Sequence, residues 1–374
     1  MLVGDLSSWR LPADSALRRA PPRPPAQRQP DYLERFDALT LLADVFEAPD
    51  GASAMAIAPP PLNLEPALRA ARYASQGVLR EVAFTPMHLV WRLVSQGARA
   101  GDVVEVSGAL GEAALRVTAN LGGLFAGRRV LVTLSKDNKL PWITDWLRFH
   151  VLEHGADAAL IYDNGSTAYD LAALDEAVSG VAGLRAAVVV PWPFRYGPGA
   201  HNGSAWDSNY CKMTFYEHAR WRFLWAARSV LNCDVDELVL TEDRRGVFEM
   251  TEGSAAGYLA FPGVWIENVG EAGAGASLPR FTDFRVRLRE ADSPPKWCVV
   301  PGRLPDAARW ATHRIEGARE DGAADGVLFR HFRAISTGWK YPRGAPVAFD
   351  AARHVVDEPL RAALGRVFPP RREG

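Results

Sequence analysis

The chain has 374 residues, 48% of them hydrophobic and 23% charged, which is enough for two domains, or one large domain with an extension, and a full core. Its formal net charge of −1 gives no basis for bulk nucleic-acid binding. No apolar run reaches the ~18 residues of a membrane span and no apolar leader opens the chain. The three cysteines, Cys211, Cys233 and Cys298, are too far apart for a zinc pair or a disulfide framework. A cytoplasmic, reducing location is therefore expected.

Residues 1–30 read as a disordered tail. The run RRAPPRPPAQRQP, Arg18 to Pro30, is basic and rich in proline, so it should be extended and solvated, with peripheral association to an acidic membrane surface as a secondary role. Residues 31–127 read as short strands and turns, a β-rich accessory domain: Ala38 to Phe46, Val82 to Phe84, His88 to Val94, Asp102 to Val106 and Ala113 to Val117. The prolines of Ala58 to Leu64 rule out a central strand there. His88 beside Trp91 has the composition of a sugar contact, although a packing or surface role is the plainer expectation.

From Arg128 the pattern alternates. Strands are expected at Val130 to Leu134, Ala158 to Tyr162, Arg185 to Val190 and Ser229 to Cys233, with helices around Leu140 to Leu152, Tyr169 to Val178 and Tyr210 to Trp225. Such alternation makes a doubly wound sheet that binds ligands at the carboxyl ends of its strands. Lys136, Asp163 with Asn164, and Asp234 all stand at such ends, so one mouth should collect them. The centre of the pattern is LNCDVDELVL, Leu231 to Leu240. If this stretch is extended, Asp234 and Asp236 point the same way and Glu237 the other. Two carboxylates held together call for a positive partner, and a hard divalent cation is the usual one. No Gly-rich phosphate loop is present, so a metal would have to hold phosphate. His150 and His154 fall on one helix face, but without a third ligand nearby they are expected to pack.

Four stretches in order resemble the glycosyltransferase family 92-like group and family 2-like bacterial relatives. They are Ser135 to Ser166, with its Tyr162-Asp163-Asn164-Gly165-Ser166 run; Asn232 to Leu238; Lys296 to Pro301; and His331 to Ser336 with Lys340. Asp145 stands where the group usually has Glu, and Pro301 lacks the preceding Arg. The resemblance implies a GT-A fold, a Rossmann-like mixed sheet with helices on both faces, over 128–345, followed by a C-terminal tail at 346–374. It also implies a metal-dependent, inverting hexosyl transfer from a nucleotide sugar, with UDP the expected base, to a glycan or other hydroxyl acceptor in surface polysaccharide or glycoconjugate synthesis. In that reading Asp236 ligates Mn²⁺ or Mg²⁺, Asp234 meets the ribose or a metal-bound water, and His331 is a further ligand. Lys136, Asp163 and Asn164 face the nucleotide. Trp265 stacks on a sugar, and Glu267 or Asp283 is the base that deprotonates the acceptor. Lys296, Arg333 and Lys340 are available to neutralise diphosphate. Two other classes remain open: a nucleotidyltransferase of nucleotide-sugar synthesis, weakened by the missing Gly-rich loop, and a non-catalytic GT-A module that binds a glycan.

Overall fold

The computed structural model describes the whole chain except residues 5, 88, 200–206, 271–277, 320–324, 339–342 and 370–374, and the side chain of Ala291. His88 and Lys340 therefore lie outside the described residues.

A nine-stranded mixed sheet runs through the molecule in the order Ala186–Pro191, Ala158–Asp163, Arg129–Ser135, Ser229–Asn232, Val286–Val299, Tyr258–Glu267, Val327–Phe332, Glu237–Thr241, with His354–Val356 pairing off this path onto Val286–Val299. The first four strands are parallel. Beyond them Val286–Val299 reverses direction, so the sheet is mixed. The strand order reverses between Arg129–Ser135 and Ser229–Asn232, which are neighbours in space and joined to different halves of the chain. A crevice opens at the carboxyl end of such a junction because the two connections leave in opposite directions.

Helices Leu140–His154, Leu171–Ser179, Val247–Gly253 and Glu358–Val367 close one face. They bury Trp146, Phe149, Leu174, Val178 and Leu364 against Leu231, Phe261 and Phe329 of the sheet. Gly155 ends the first of these helices in the left-handed region, φ 68°, as a helix C-terminus that turns at once into a strand requires. The second face is covered differently. Helix Tyr210–Ala219 lies on it, and beside the helix sits a four-stranded sheet of residues 44–96. Alternation makes this sheet a true layer: Phe46, Met55 and Ile57 point into the core shared with the central sheet, while Val45, Ala54 and Ala56 pack against a second four-stranded sheet built from 72–116.

Two expectations about the ends of the chain are corrected. Residues 1–30 are not a solvated tail: Trp9 is buried, Val3 bonds to Val189 at the sheet edge, and Arg19 and Arg23 are buried. Arginine enters an interior when its fork is met, and here Arg19 donates to the carbonyls of Pro60 and Asp37 while Arg23 reaches Asp207, Ser208, Gln29 and Gly199. Composition alone cannot reveal acceptors that come from distant residues. Residues 346–374 contain the His354–Val356 strand and a helix whose Leu360, Leu364 and Val367 are buried, tied in by Arg330 on Asp357 at 2.9 Å. The long strand Val286–Val299 was also unread, because Pro294 and Pro295 interrupt the pattern. Among the described residues no helix is long and apolar enough to cross a membrane.

Candidate functional site

A cavity of about 710 Å³ opens at the reversal point of the sheet. Lys136, Asn164, Lys212, Asp234, Asp236, Glu237, Trp265, Ser293, Lys296, His331 and Arg343 line it, together with the 309–316 hairpin. The acidic motif does not run extended through this wall. Val235 and Asp236 form a tight turn between two strands, closed by the Glu237 amide on the Asp234 carbonyl at 3.0 Å. The turn cancels strand alternation. Asp234 and Asp236 face different partners, and Glu237, expected to point away, joins the same cavity.

Asp234 faces two lysines. Lys296 Nζ is 2.5 Å from Oδ2 and Lys212 Nζ is 3.5 Å from Oδ1. Burial works to raise the Asp234 carboxyl, but Lys212 and then Lys296 override it and hold it far below the usual carboxylate range. Lys296 also reaches Glu237 at 3.0 Å; burial would lower its ammonium, and the two carboxylates keep it well above the ordinary lysine value. Glu237 itself is raised, because burial and the neighbouring Asp234 and Asp236 outweigh the pull of Lys296 and His331.

Asp236 faces His331, whose Nε2 is 3.4 Å from Oδ2, and the guanidinium of Arg343. Burial opposes its charge too, yet His331 and Arg343 bring its carboxyl below the ordinary value. The other imidazole nitrogen, Nδ1, is 2.9 Å from Ser293 Oγ and 3.7 Å from Glu237 Oε1. The His331 ring stacks on Trp265, centroids 3.9 Å apart. One oxygen or nitrogen from each of Asp236, Glu237 and His331 lies within 4.8 Å of the others. Two carboxylates and an imidazole are acceptable to Mn²⁺, and the imidazole makes the set poor for Ca²⁺, so the donor set fits a divalent ion such as Mn²⁺, with Arg343 sharing the Asp236 carboxylate. The set differs from the one expected: Glu237 belongs to it, and Asp234 is held by lysines instead.

The other residues singled out in the sequence divide. Lys136 and Asn164 line the cavity, Asn164 fixed by donating to the carbonyls of Trp192 and Phe194 at 2.8 Å each. Asp163 does not line it. Its carboxylate accepts from the amides of Gly165 and Ser166 and from Ser166 Oγ, so it closes its own turn, with Gly165 at φ 73°. Glu267 is paired with Arg333 at 2.7 Å, and Asp283 accepts from the Arg280 amide at 2.7 Å to cap a short 3-10 turn; neither lines the cavity. Trp265 lines it, but one ring face is taken by His331, and the Arg333 guanidinium also lies over the ring at 4.8 Å. His150 and His154 are buried and bonded to the Trp146 and Val239 carbonyls, so they pack.

Sequence reasoning missed Lys212, Arg343 and Ser293. Lys212 left a faint signal: it is the only cation in YCKMTFY, a run that is otherwise apolar or neutral, on a helix whose every residue is buried. Arg343 and Ser293 left none.

No family model matches the chain, and no curated protein matches it. Among solved structures it is similar to the apo form of the bifunctional glycosyltransferase WbbM, at 11% identity and TM-score 0.23 over 37% of this chain and 23% of that one. It is also similar to the galactosyltransferase LgtC in complex with donor and acceptor sugar analogs, at 12% identity and TM-score 0.25 over 47% of this chain and 58% of that one. The matched part thus spans less than two thirds of either neighbour.

Proposed function

We propose that the protein is a GT-A-type glycosyltransferase that moves a sugar from a nucleoside diphosphate donor to a glycan or other hydroxyl acceptor. The observation that carries this reading is the convergence of Asp236, Glu237 and His331 with two buried lysines at the reversal point of the sheet, in a cavity large enough for a nucleotide sugar. Asp236, Glu237 and His331 would hold a divalent ion, which would supply Lewis acidity to a diphosphate leaving group. The chain's own residues do the rest. Lys136 and Lys212 present ammoniums to developing phosphate charge, Ser293 and Trp265 hold the His331 ring in one orientation, and the Asn164 loop shapes the wall next to Lys136. Inversion at the sugar carbon, a UDP-linked donor and a role in surface polysaccharide or glycoconjugate synthesis are parts of the proposal that rest on the family resemblance.

A thermal-shift panel of nucleoside diphosphates, with and without Mn²⁺, tests the reading, because a ligand that binds only the folded chain raises its melting temperature. A nucleotide that stabilises the protein, more so with Mn²⁺, should then support hydrolysis or transfer of its sugar. A panel with no shift for any nucleotide would remove the proposal. NMR of the product anomer reports the stereochemistry.

A further inference from the structure

Among the described residues the cavity is lined by six side-chain cations, Lys136, Lys212, Lys296, Arg309, Arg314 and Arg343, against five carboxylates, an excess of one positive charge. Most of these cations are already committed. Arg309 and Arg314 pair with Glu316 at 3.0 and 2.9 Å, Arg343 with Asp236, and Lys296 with Asp234 and Glu237. Lys212 is different. Its ion partner among the described residues is Asp234 at 3.5 Å, beyond the ~2.7–3.2 Å of a normal hydrogen bond. An ammonium has three N–H donors, and this side chain is nine-tenths buried in the cavity wall. Burying a cation without close acceptors is costly unless a second anion completes its shell. Asp234 cannot move closer, because its other oxygen is fixed by Lys296 at 2.5 Å.

We propose that Lys212, backed by Lys296, is a seat for phosphate oxygens that works without a metal, and that Asp234 is the internal counter-ion holding both ammoniums until phosphate arrives. The ligand class is a phosphate or diphosphate group. A diphosphate oxygen at Lys212 supplies an acceptor at hydrogen-bond distance, and the partly buried side chain makes that charge-assisted hydrogen bond stronger than one at the open surface. Asp234 then competes with the ligand for the lysines. This inverts the role the acidic motif suggested: the first aspartate opposes the anion instead of recruiting a metal to it. The seat deepens the glycosyltransferase reading and depends on it only for the identity of the donor.

The test is calorimetry with inorganic pyrophosphate in EDTA, on the full chain. The wild type should bind. K212Q should bind at least about tenfold more weakly, a loss of about 1.4 kcal/mol, while K212R keeps most of the affinity. D234N should bind at least as tightly as the wild type, because the competing charge is gone. Thermal melting checks that each variant folds, and K212M, which keeps the aliphatic stem, replaces K212Q if that variant does not. No binding by the wild type in EDTA, equal binding by K212Q, or weaker binding by D234N would each overturn the seat. The outcome is separable from the function itself. Pyrophosphate binding without sugar transfer keeps the seat and rejects the transferase, and sugar transfer without metal-free pyrophosphate binding does the reverse.

Discussion

The two faces of the central sheet are closed by different means. On the face covered by Leu140–His154, Leu171–Ser179 and Glu358–Val367, the hydrophobic cluster is extensive, burial lowers its two histidines, which bond to backbone carbonyls, and a buried ion pair, Arg330 with Asp357, sits at the start of the last helix. On the other face, under helix Tyr210–Ala219 and the N-terminal sheet, the buried charges form a network. Tyr162 Oη is 2.7 Å from His218 Nδ1, His218 Nε2 is 2.9 Å from Asp44 Oδ2, and Arg222 donates to the same oxygen at 2.6 Å. Asp44 comes from the N-terminal layer, and the other three belong to the central unit. The first face is closed by helices of the alternating pattern together with a helix from the far C-terminal end, Glu358–Val367. The second face needs a partner more than a hundred residues away, and buried ions that pair with one another hold it there. The N-terminal layer is thus bound to the central unit through a shared core and a buried ion network.

The most severe test of this difference is Asp44→Ala. It leaves Arg222 buried without its carboxylate, a loss of about 3–5 kcal/mol in urea unfolding. A loss under ~1 kcal/mol, ordinary for a surface ion pair, would mean the network is incidental. Next is Asp236→Asn, which keeps the side-chain shape and removes the charge shared by His331 and Arg343. Sugar transfer should fall about 10²–10³-fold with an unchanged melting temperature, and near wild-type turnover would deny Asp236 its role. Because Arg343 competes for the same oxygen, Arg343→Ala should tighten Mn²⁺ binding measured without nucleotide, by about threefold to tenfold. Weaker Mn²⁺ binding would make Arg343 a support for the metal seat and not a competitor.

The smallest effect expected is on pH. Burial lowers the imidazoles of His150, to about 3, and of His154 and His218. A histidine whose folded value lies below its unfolded ~6.5 stabilises the fold above that pH. The stability it provides is lost as pH falls toward the folded value. Melting temperature should therefore drop on the order of 5 °C between pH 7 and 4.5, and a flat profile would show these rings to be protonated in the fold. Limited proteolysis probes the N-terminal layer in the same spirit. With Arg19 and Arg23 buried, cleavage before Asp31 should be slow despite the proline-rich composition.

Much of the framework was legible because it is local. Strand and helix periods from Val130 to Leu240 identified the alternating elements, and the acidic motif flanked by apolar strands marked the mouth of the sheet. What sequence could not supply was which side chains meet there. A two-residue turn at Val235 and Asp236, not strand alternation, decides that Glu237 joins Asp236 and His331, and a turn of that kind depends on the two strands it links pairing elsewhere in the sheet. Asp163 and Glu267 had the residue type for the site but are consumed by nearer partners, Ser166 and Arg333. Arg343 and Arg23 had no pattern at all and Lys212 only a faint one, since a long side chain finds its acceptor only after the core has brought distant segments within reach. Periodicity was enough to place the alternating elements and the acids at their ends. Which cations neutralise those acids was decided by the folded arrangement, because ionic contacts are set by distance in space and carry no period along the chain.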